Sequence, residues 1–423
     1  MTLKNSFRQE RADDMNEKWR AMIHRKGGIY ERKDDMRSHF WRDYNRILHS
    51  NAYRRLKHKT QVFFATDNDH ICTRIEHVNH VAAISYTISK YLGLNTELAT
   101  AISIGHDLGH PPFGHRGEEV LENLIEKETG EKFWHEKNSL WFIDKIETLP
   151  DPSGKEKNLN LTYAVRDGII SHCGEVDDIA LYPRREPLEL DLIEKASQYP
   201  PFTWEGCVVK IADKIAYLGR DIEDALVLKF LSLSQLRELH AIIKNTIGYR
   251  VKFREINNTV LIHNFIVNIC KESSLENGLR FSEEYLQLLK EVKTFNYNNI
   301  YRHHRLENFK EFAALIIGTI FYILLRYYDE KRTLFNLVKQ EYFYPLLIET
   351  FSDWLIKYTD IDLKMKKLKK YNNQIVFDIA QKKDYVKAAA SYISGMTDSF
   401  AIKIFQELTS FPLTRDTLNQ ISR

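Results

Sequence analysis

The stretch "IGHDLGHPPFGHRGE", residues 104–118, closes an apolar run and sets His106, His110 and His115 beside Asp107 and Glu118. The run leading into it, "LATAISIG", has the pattern of a buried helix, and Gly109, Pro111 and Pro112 stop that helix at once. Imidazoles and carboxylates are the groups that metal sites and proton-transfer sites require. Adjacent helical residues diverge by about 100°. His106 and Asp107 therefore share an ion only if it lies between their directions, at the helix end. An ion that also binds solvent or substrate wants three or more protein donors, so two are too few.

Helical periodicity runs outward from this stretch in both directions. In "RIEHVNHVAAISYTISKYL", steps of four, three and four link His77, Val81, Ile84 and Ile88 along one face. A histidine on an inward face is either a satisfied core residue or a ligand. In "VVKIADKIAYLGRDIEDAL", the core stripe is Val208, Ile211, Ile215, Leu218 and Ile222, and Asp213, Tyr217, Asp221 and Asp224 line a second face. The plain reading of that second face is a solvated one. Ala212 and Ala216 flank it with small side chains, which leaves room for a ligand cavity. Strand-like alternation is scarce, with "GLRFSEEYLQL" as the one candidate to open with a short strand. The pattern predicts an all-α protein.

The composition, 43% apolar, 28% charged and 12% aromatic over 423 residues, is that of a chain able to bury a large core. A net charge of +3 gives no global field for nucleic acid. Cys72, Cys173, Cys207 and Cys270 are scattered without CxxC spacing, which suggests reduced thiols in a cytoplasm. The N-terminus is too charged for a signal peptide. The best membrane candidate, "FAALIIGTIFYILL" at 312–325, falls short of the roughly 20 apolar residues a span needs. It reads as a core helix of a soluble protein. The lysine-rich "LKMKKLKKY", 363–371, reads as a solvated helix face.

The order His77, His106–Asp107, Asp213 resembles the H…HD…D order of the HD superfamily of metal-dependent phosphohydrolases. The blocks "RDYNRILHSNAYRRLKHKTQVF", "TRIEHVNHV", "GHDLGHPPFGHRGEE", "LNLTYAVRDGIISH", "VVKIADKIAYLGRDIEDAL" and "YISGMTDSFA" narrow the resemblance to the deoxyguanosinetriphosphate triphosphohydrolase-like family. The match is dense from about residue 42 to 230 and returns near 392–401. The resemblance implies an N-terminal arm with helices (1–40), an HD-domain catalytic core (41–230), and a helical C-terminal region (231–423) that packs on the core and completes the pocket. It also implies hydrolysis of dGTP, or of several deoxynucleoside triphosphates, to deoxynucleoside and triphosphate. A divalent ion (Mg²⁺, Mn²⁺ or another transition ion), assembly into tetramers or hexamers, and a regulatory nucleotide come with it.

Position by position, His77, His106, Asp107 and Asp213 match the family's metal ligands. His115 and Glu118 match its catalytic pair. His110 and His135 match positions that approach the phosphates or support the catalytic histidine. Arg74 and Lys214 match phosphate-binding cations, and Tyr217 and Asp221 match positions beside the sugar. Gln61 and Val62 match a pair that contacts the deoxyribose. "LGRDIED" and "WHEKN" depart from the commoner family words, which leaves base preference open.

Cleaving the bond from the 5′-oxygen to the α-phosphate needs charge neutralisation, a nucleophilic water and a proton for the leaving oxygen. The ligand set, the two cations and the His115–Glu118 pair would supply these in turn. Glu118, three residues after His115, shares its helix face and can hold the imidazole's tautomer; the plain alternative is a first-turn acid favoured by the helix dipole. Two rival readings stand beside this one. The first is an HD-type nucleotidase or phosphodiesterase for mono- or cyclic nucleotides, which needs fewer cations. The second is a regulator that binds nucleotides or single-stranded DNA through basic stretches such as 54–59 and 363–371.

Overall fold

The computed structural model describes residues 6–29, 34–64, 68–173, 180–247 and 258–410. Its architecture is all-α, as the periodicity predicts. Among the described residues the two strands, Thr148–Pro150 and Glu156–Asn158, form one antiparallel hairpin in which Leu149 faces Lys157. The "GLRFSEEYLQL" stretch contributes no strand. Leu279 makes a single bridge to Leu181, and a helix capped by Ser282 starts at Glu283.

Two compact units share the chain. The first comprises Met1–His110, Trp134–Glu147 and Leu159–Phe309. At its centre the helix Arg74–Leu92 packs against Thr96–Gly105 and Trp204–Val227, and Tyr163–Ser171 packs against the last two. Local chemistry starts and stops each of them. The amide of Thr73 donates to Glu76 Oε2 at 2.8 Å, and Gly93 takes a left-handed φ of 87° where the first of these helices ends. Asn95 caps the second by accepting from the amides of Glu97 and Leu98. Thr203 caps the third by accepting from Gly206. The shared core holds Val78, Val81, Ile88, Leu98, Ile102, Ile169, Val208 and Ile215, all buried.

The second unit comprises Pro111–Phe133, Thr148–Asn158 and Lys310–Arg423. Here Gly114–Thr129 packs against Lys382–Ser394, and Leu121, Phe321, Leu324, Phe351, Tyr385 and Ile393 are buried. The helix His304–Arg326 is long and apolar enough to cross a membrane by length and composition. From Lys310 onward one face, with Ala313, Ile316, Ile317, Ile320 and Leu324, is fully buried, while Phe312, Leu315 and Tyr322 are exposed. It is thus a half-buried helix rather than the enclosed core helix its composition suggests. In the lysine-rich helix Leu363–Leu368 the residues Lys364 and Lys367 are solvated, but Lys366 is buried and its ammonium caps the carbonyl of Lys357. The four cysteines are unbridged.

Candidate metal centre and its surroundings

Three helices of the first unit converge on one point. His77 lies in the first turn of Arg74–Leu92, His106 and Asp107 directly follow Gly105, and Asp213 sits midway along Trp204–Val227. His77 Nε2 is 2.9 Å from Asp213 Oδ1. His106 Nε2 is 3.6 Å from Asp107 Oδ1 and 3.8 Å from Asp213 Oδ1. The structure therefore brings together all four residues that the sequence singles out as ligands. The four occupy an interior, with His77, His106 and Asp107 almost fully buried.

The donor set fits a divalent ion. The Nδ1 of His106 lies 2.6 Å from the carbonyl of Ser103, which fixes its proton there and turns Nε2 inward. That Nε2 is buried and has no hydrogen-bond partner. A buried nitrogen left unsatisfied is costly unless something else fills the position. Two carboxylate oxygens at 3.6 and 3.8 Å have the separation of neighbouring ligands on one ion, given bonds of about 2.0–2.2 Å.

Electrostatics point the same way. Burial alone would raise the Asp213 carboxyl, but the hydrogen bond and charge of His77, helped by His106 and His172, hold it well below the usual range. Burial works against a charged His77, and the Asp213 carboxylate more than offsets it, so the imidazole's pKa is raised. Burial likewise opposes an ionised Asp107. The guanidinium of Arg74, 2.5 Å from Oδ2, overcomes it with the help of His106, His110 and His135. Asp213 and His77 thus each favour the other's charged form.

The neighbouring residues form a polar wall. Arg74 is almost fully buried and spans Asp107 and the carbonyl of Gln61, at 3.5 Å. Gln61 is itself buried, and its Oε1 has no hydrogen-bond partner; Val62 is half-buried beside it. The rings of His110 and His135 are 4.5 Å apart, and the His110 carbonyl accepts from Lys59 Nζ. Gly109 lets the HD turn approach the helix His135–Trp141. A Cβ there would lie 2.2 Å from the backbone nitrogen of Ser139, whose hydroxyl accepts from the Gly109 amide.

Farther along Trp204–Val227, Lys214 and Tyr217 are half-buried, while Asp221 and Asp224 are buried. The second face of this helix is therefore not a solvated one. Burial, aided by the charges of Asp224 and Asp213, lifts the Asp221 carboxyl to about 7 against the hydrogen bond from Tyr301 and the charge of His77. Tyr301 closes a π-turn, Tyr297–Tyr301, and its hydroxyl donates to Asp221 Oδ2.

In the second unit, His115 and Glu118 lie in the first turns of Gly114–Thr129, with Nδ1 3.3 Å from Glu118 Oε2. Phe113, which precedes the helix, holds a left-handed φ of 66°. Its amide donates to Asp398 Oδ1 at 2.9 Å. The "YISGMTDSFA" block thus acts structurally, since its buried Asp398 fixes the start of the helix that carries His115.

Sequence reasoning passed over His172 and Tyr301. His172 is buried with its ring 4.7 Å from that of His106. Burial, with the charge of His106, lowers its pKa to about 3. Its signal was present as the one histidine ending the "TYAVRDGIISH" helix. Tyr301 follows a helix end with no periodic cue.

An HD domain family model matches residues 74–218, from just before His77 to just beyond Asp213. Three relatives, each named deoxyguanosinetriphosphate triphosphohydrolase-like protein, align over most of the chain. The protein of Caldanaerobacter subterraneus subsp. tengcongensis is 31% identical over 379 residues, 89% of this chain and 87% of its own. That of Clostridium tetani is 36% identical over 319 residues, 75% of this chain and 82% of its own. That of Rickettsia typhi is 31% identical over 381 residues, 88% and 92% respectively. With this sequence similarity over most of its length and the HD domain model across residues 74–218, the chain belongs to the deoxyguanosinetriphosphate triphosphohydrolase-like family of HD-domain proteins.

Proposed function

We propose that this hydrolase is a divalent-metal-dependent enzyme that splits a deoxynucleoside triphosphate, dGTP or several dNTPs, into deoxynucleoside and triphosphate. The observation that carries the reading is the convergence of His77, His106, Asp107 and Asp213 around the unpartnered Nε2 of His106. These four would hold Mg²⁺, Mn²⁺ or another transition ion. When bound, such an ion polarises a phosphoryl oxygen and lowers the pKa of a water.

The chain's own groups would do the rest. Arg74 and Lys214 offset the triphosphate charge, one as a planar fork and the other as a point charge. His110 and His135 offer imidazole nitrogens to phosphate oxygens. Gln61, with its unsatisfied Oε1, and Val62 would contact the deoxyribose, and Tyr217 and Asp221 would hold its other edge. His115 moves a proton at the 5′-oxygen or the attacking water, and Glu118 keeps its tautomer. The catalytic core in this reading is residues 41–230. A cytoplasmic homo-oligomer, with an activating nucleotide, is the setting the reading carries.

The test is product identification. The purified chain, incubated with each of the four dNTPs and Mg²⁺ or Mn²⁺, is expected to release deoxynucleoside and intact triphosphate from at least one. Asp213→Ala is expected to release none while keeping its helicity. Full turnover by Asp213→Ala would refute the ligand role, and a deoxynucleoside mono- or diphosphate product would refute the cleavage site.

A further inference from the structure

In the second unit, one face of the helix His304–Arg326 is apolar and open to solvent. Phe312, Leu315, Thr319, Tyr322 and Arg326 follow one another at steps of three and four, which sets them in a single stripe. The stripe runs about 21 Å at 1.5 Å per residue. Phe312, Leu315 and Tyr322 are 38, 58 and 44% exposed, while Ile316, Ile317 and Ile320 are fully buried on the other side. The Thr319 hydroxyl donates to the Leu315 carbonyl at 2.6 Å, so its polarity is satisfied inside the helix. Single exposed apolar side chains are ordinary, but a contiguous row of them marks an interaction surface.

Gly318 stands beside this stripe, four residues after the exposed Ala314. Glycine weakens a helix interior relative to alanine. No neighbour in the chain requires it here, since a Cβ at Gly318 would meet no heavy atom within 4 Å. Gly117 of the same unit differs, because a Cβ there would lie 1.8 Å from the carbonyl oxygen of Pro112. The space that Gly318 keeps open suits a backbone arriving from outside. At the two ends of the stripe, Glu311 and Arg326 are exposed, and among the described residues they form no ion pair. They lie seven residues before and eight residues after Gly318.

We infer that this face docks against the same face of a second copy of the chain, antiparallel about a two-fold axis beside Gly318 and Thr319. A two-fold pair meets its own surface in reverse order. Positions equally far from the axis face each other, so Leu315 meets Tyr322 of the partner subunit and Glu311 meets Arg326 of the partner subunit. Symmetry makes each contact twice. The stripe is thus complementary to itself in charge as well as in apolar pattern. A surface of one sign, such as an anionic membrane, would attract Arg326 and repel Glu311. Nothing in this pairing depends on the cleavage reaction proposed above, and turnover is not its readout.

The experiment follows self-association of the full chain by sedimentation equilibrium. Leu315→Glu and Gly318→Leu are each expected to weaken one subunit contact by about tenfold or more. Glu311→Arg and Arg326→Glu are each expected to weaken it by about fivefold, and the two together to restore it. Under mild oxidation Gly318→Cys is expected to form a disulfide-linked dimer, whereas Lys364→Cys, exposed on the helix Leu363–Leu368, is not. If Leu315→Glu fails to fold by circular dichroism, the charge reversals and the cross-link carry the same test. Undiminished association of the variants without a Gly318→Cys cross-link overturns the face. Failure of the double reversal to restore association overturns the antiparallel register. A wild-type chain that stays monomeric, or that binds phosphatidylglycerol vesicles through Leu315, overturns the second copy as occupant.

Discussion

The bond between an imidazole Nδ1 and a carbonyl three residues back decides much of this site. It turns His106 Nε2 toward Asp107 and Asp213 and leaves it unsatisfied in the interior. His77 carries the complementary feature: burial opposes its charge, Asp213 outweighs burial and raises its pKa, and a cation bound there would compete with a proton. Ion affinity is therefore expected to fall as pH drops through the elevated pKa of His77. Isothermal titration of Mn²⁺ between pH 6 and 8 in two buffers reads both the affinity and the released proton; a pH-independent affinity would contradict the pairing. His115→Ala is expected to cut turnover by about 10²–10⁴-fold with little loss of nucleotide binding, and equal losses would make His115 a binding residue. At this scale the candidate ligand set was legible through the H…HD…D order, since His77 on an inward face and Asp213 on a polar face each have an ordinary reading alone. His172 was not, because a histidine at a helix end has an ordinary capping explanation and its neighbours in space are 37 and 66 positions away in sequence.

Helices carry these residues, and their ends set the geometry. Asp398 holds the amide of Phe113 in a left-handed conformation directly before the His115 helix. Replacing it with Ala leaves a buried N–H unpaired, a loss of about 1–3 kcal/mol, and is expected to lower kcat with a smaller change in KM. Asp398→Asn, which keeps the acceptor oxygen, is expected to restore most of kcat; failure of that rescue would leave Asp398 with a charge-based role. Gly109→Ala meets backbone at 2.2 Å, so the HD turn must shift away from His135–Trp141, with an expected loss of both thermal stability and ion affinity. The Trp204–Val227 helix shows where sequence reading falls short. Its row of acids looked like a solvated face, yet Asp221 and Asp224 are buried, because Tyr301 and the amide of Cys72 satisfy them from distant segments. Periodicity reports which face is polar, and only packing reports whether water reaches it.

Stability of the whole molecule should carry a pH signature from Glu205. Its buried carboxylate accepts from the amides of Ala12 and Asn95 and so ties residue 12 to the start of Thr96–Gly105. Burial outweighs those hydrogen bonds and lifts its pKa from 4.5 to about 7. The folded state therefore binds the proton more tightly than the unfolded chain. The contribution is greatest below about pH 4.5 and declines until about pH 7, by about 3 kcal/mol at roughly 1.4 kcal/mol per pH unit. Denaturation between pH 5 and 8 is expected to show this decline in the wild type and a flatter profile in Glu205→Gln; parallel profiles would contradict it. The all-α class was readable from 3.6-residue periodicity, whereas the division into two units, each assembled from three separated segments, was not. Segment exchange of that kind leaves no local mark in a sequence.

The central claim is that this chain cleaves at the α-phosphate of a deoxynucleoside triphosphate, using groups assembled around His77, His106, Asp107 and Asp213. Its most direct test turns over dGTP with Mg²⁺ in ¹⁸O-labelled water, reading the phosphate product by ³¹P nuclear magnetic resonance and the nucleoside by mass spectrometry. The account predicts inorganic triphosphate carrying the label on a terminal phosphorus, alongside unlabelled deoxyguanosine, and neither product from Asp213→Ala. Labelled orthophosphate or pyrophosphate as the first product, or label in the 5′-hydroxyl, would contradict it.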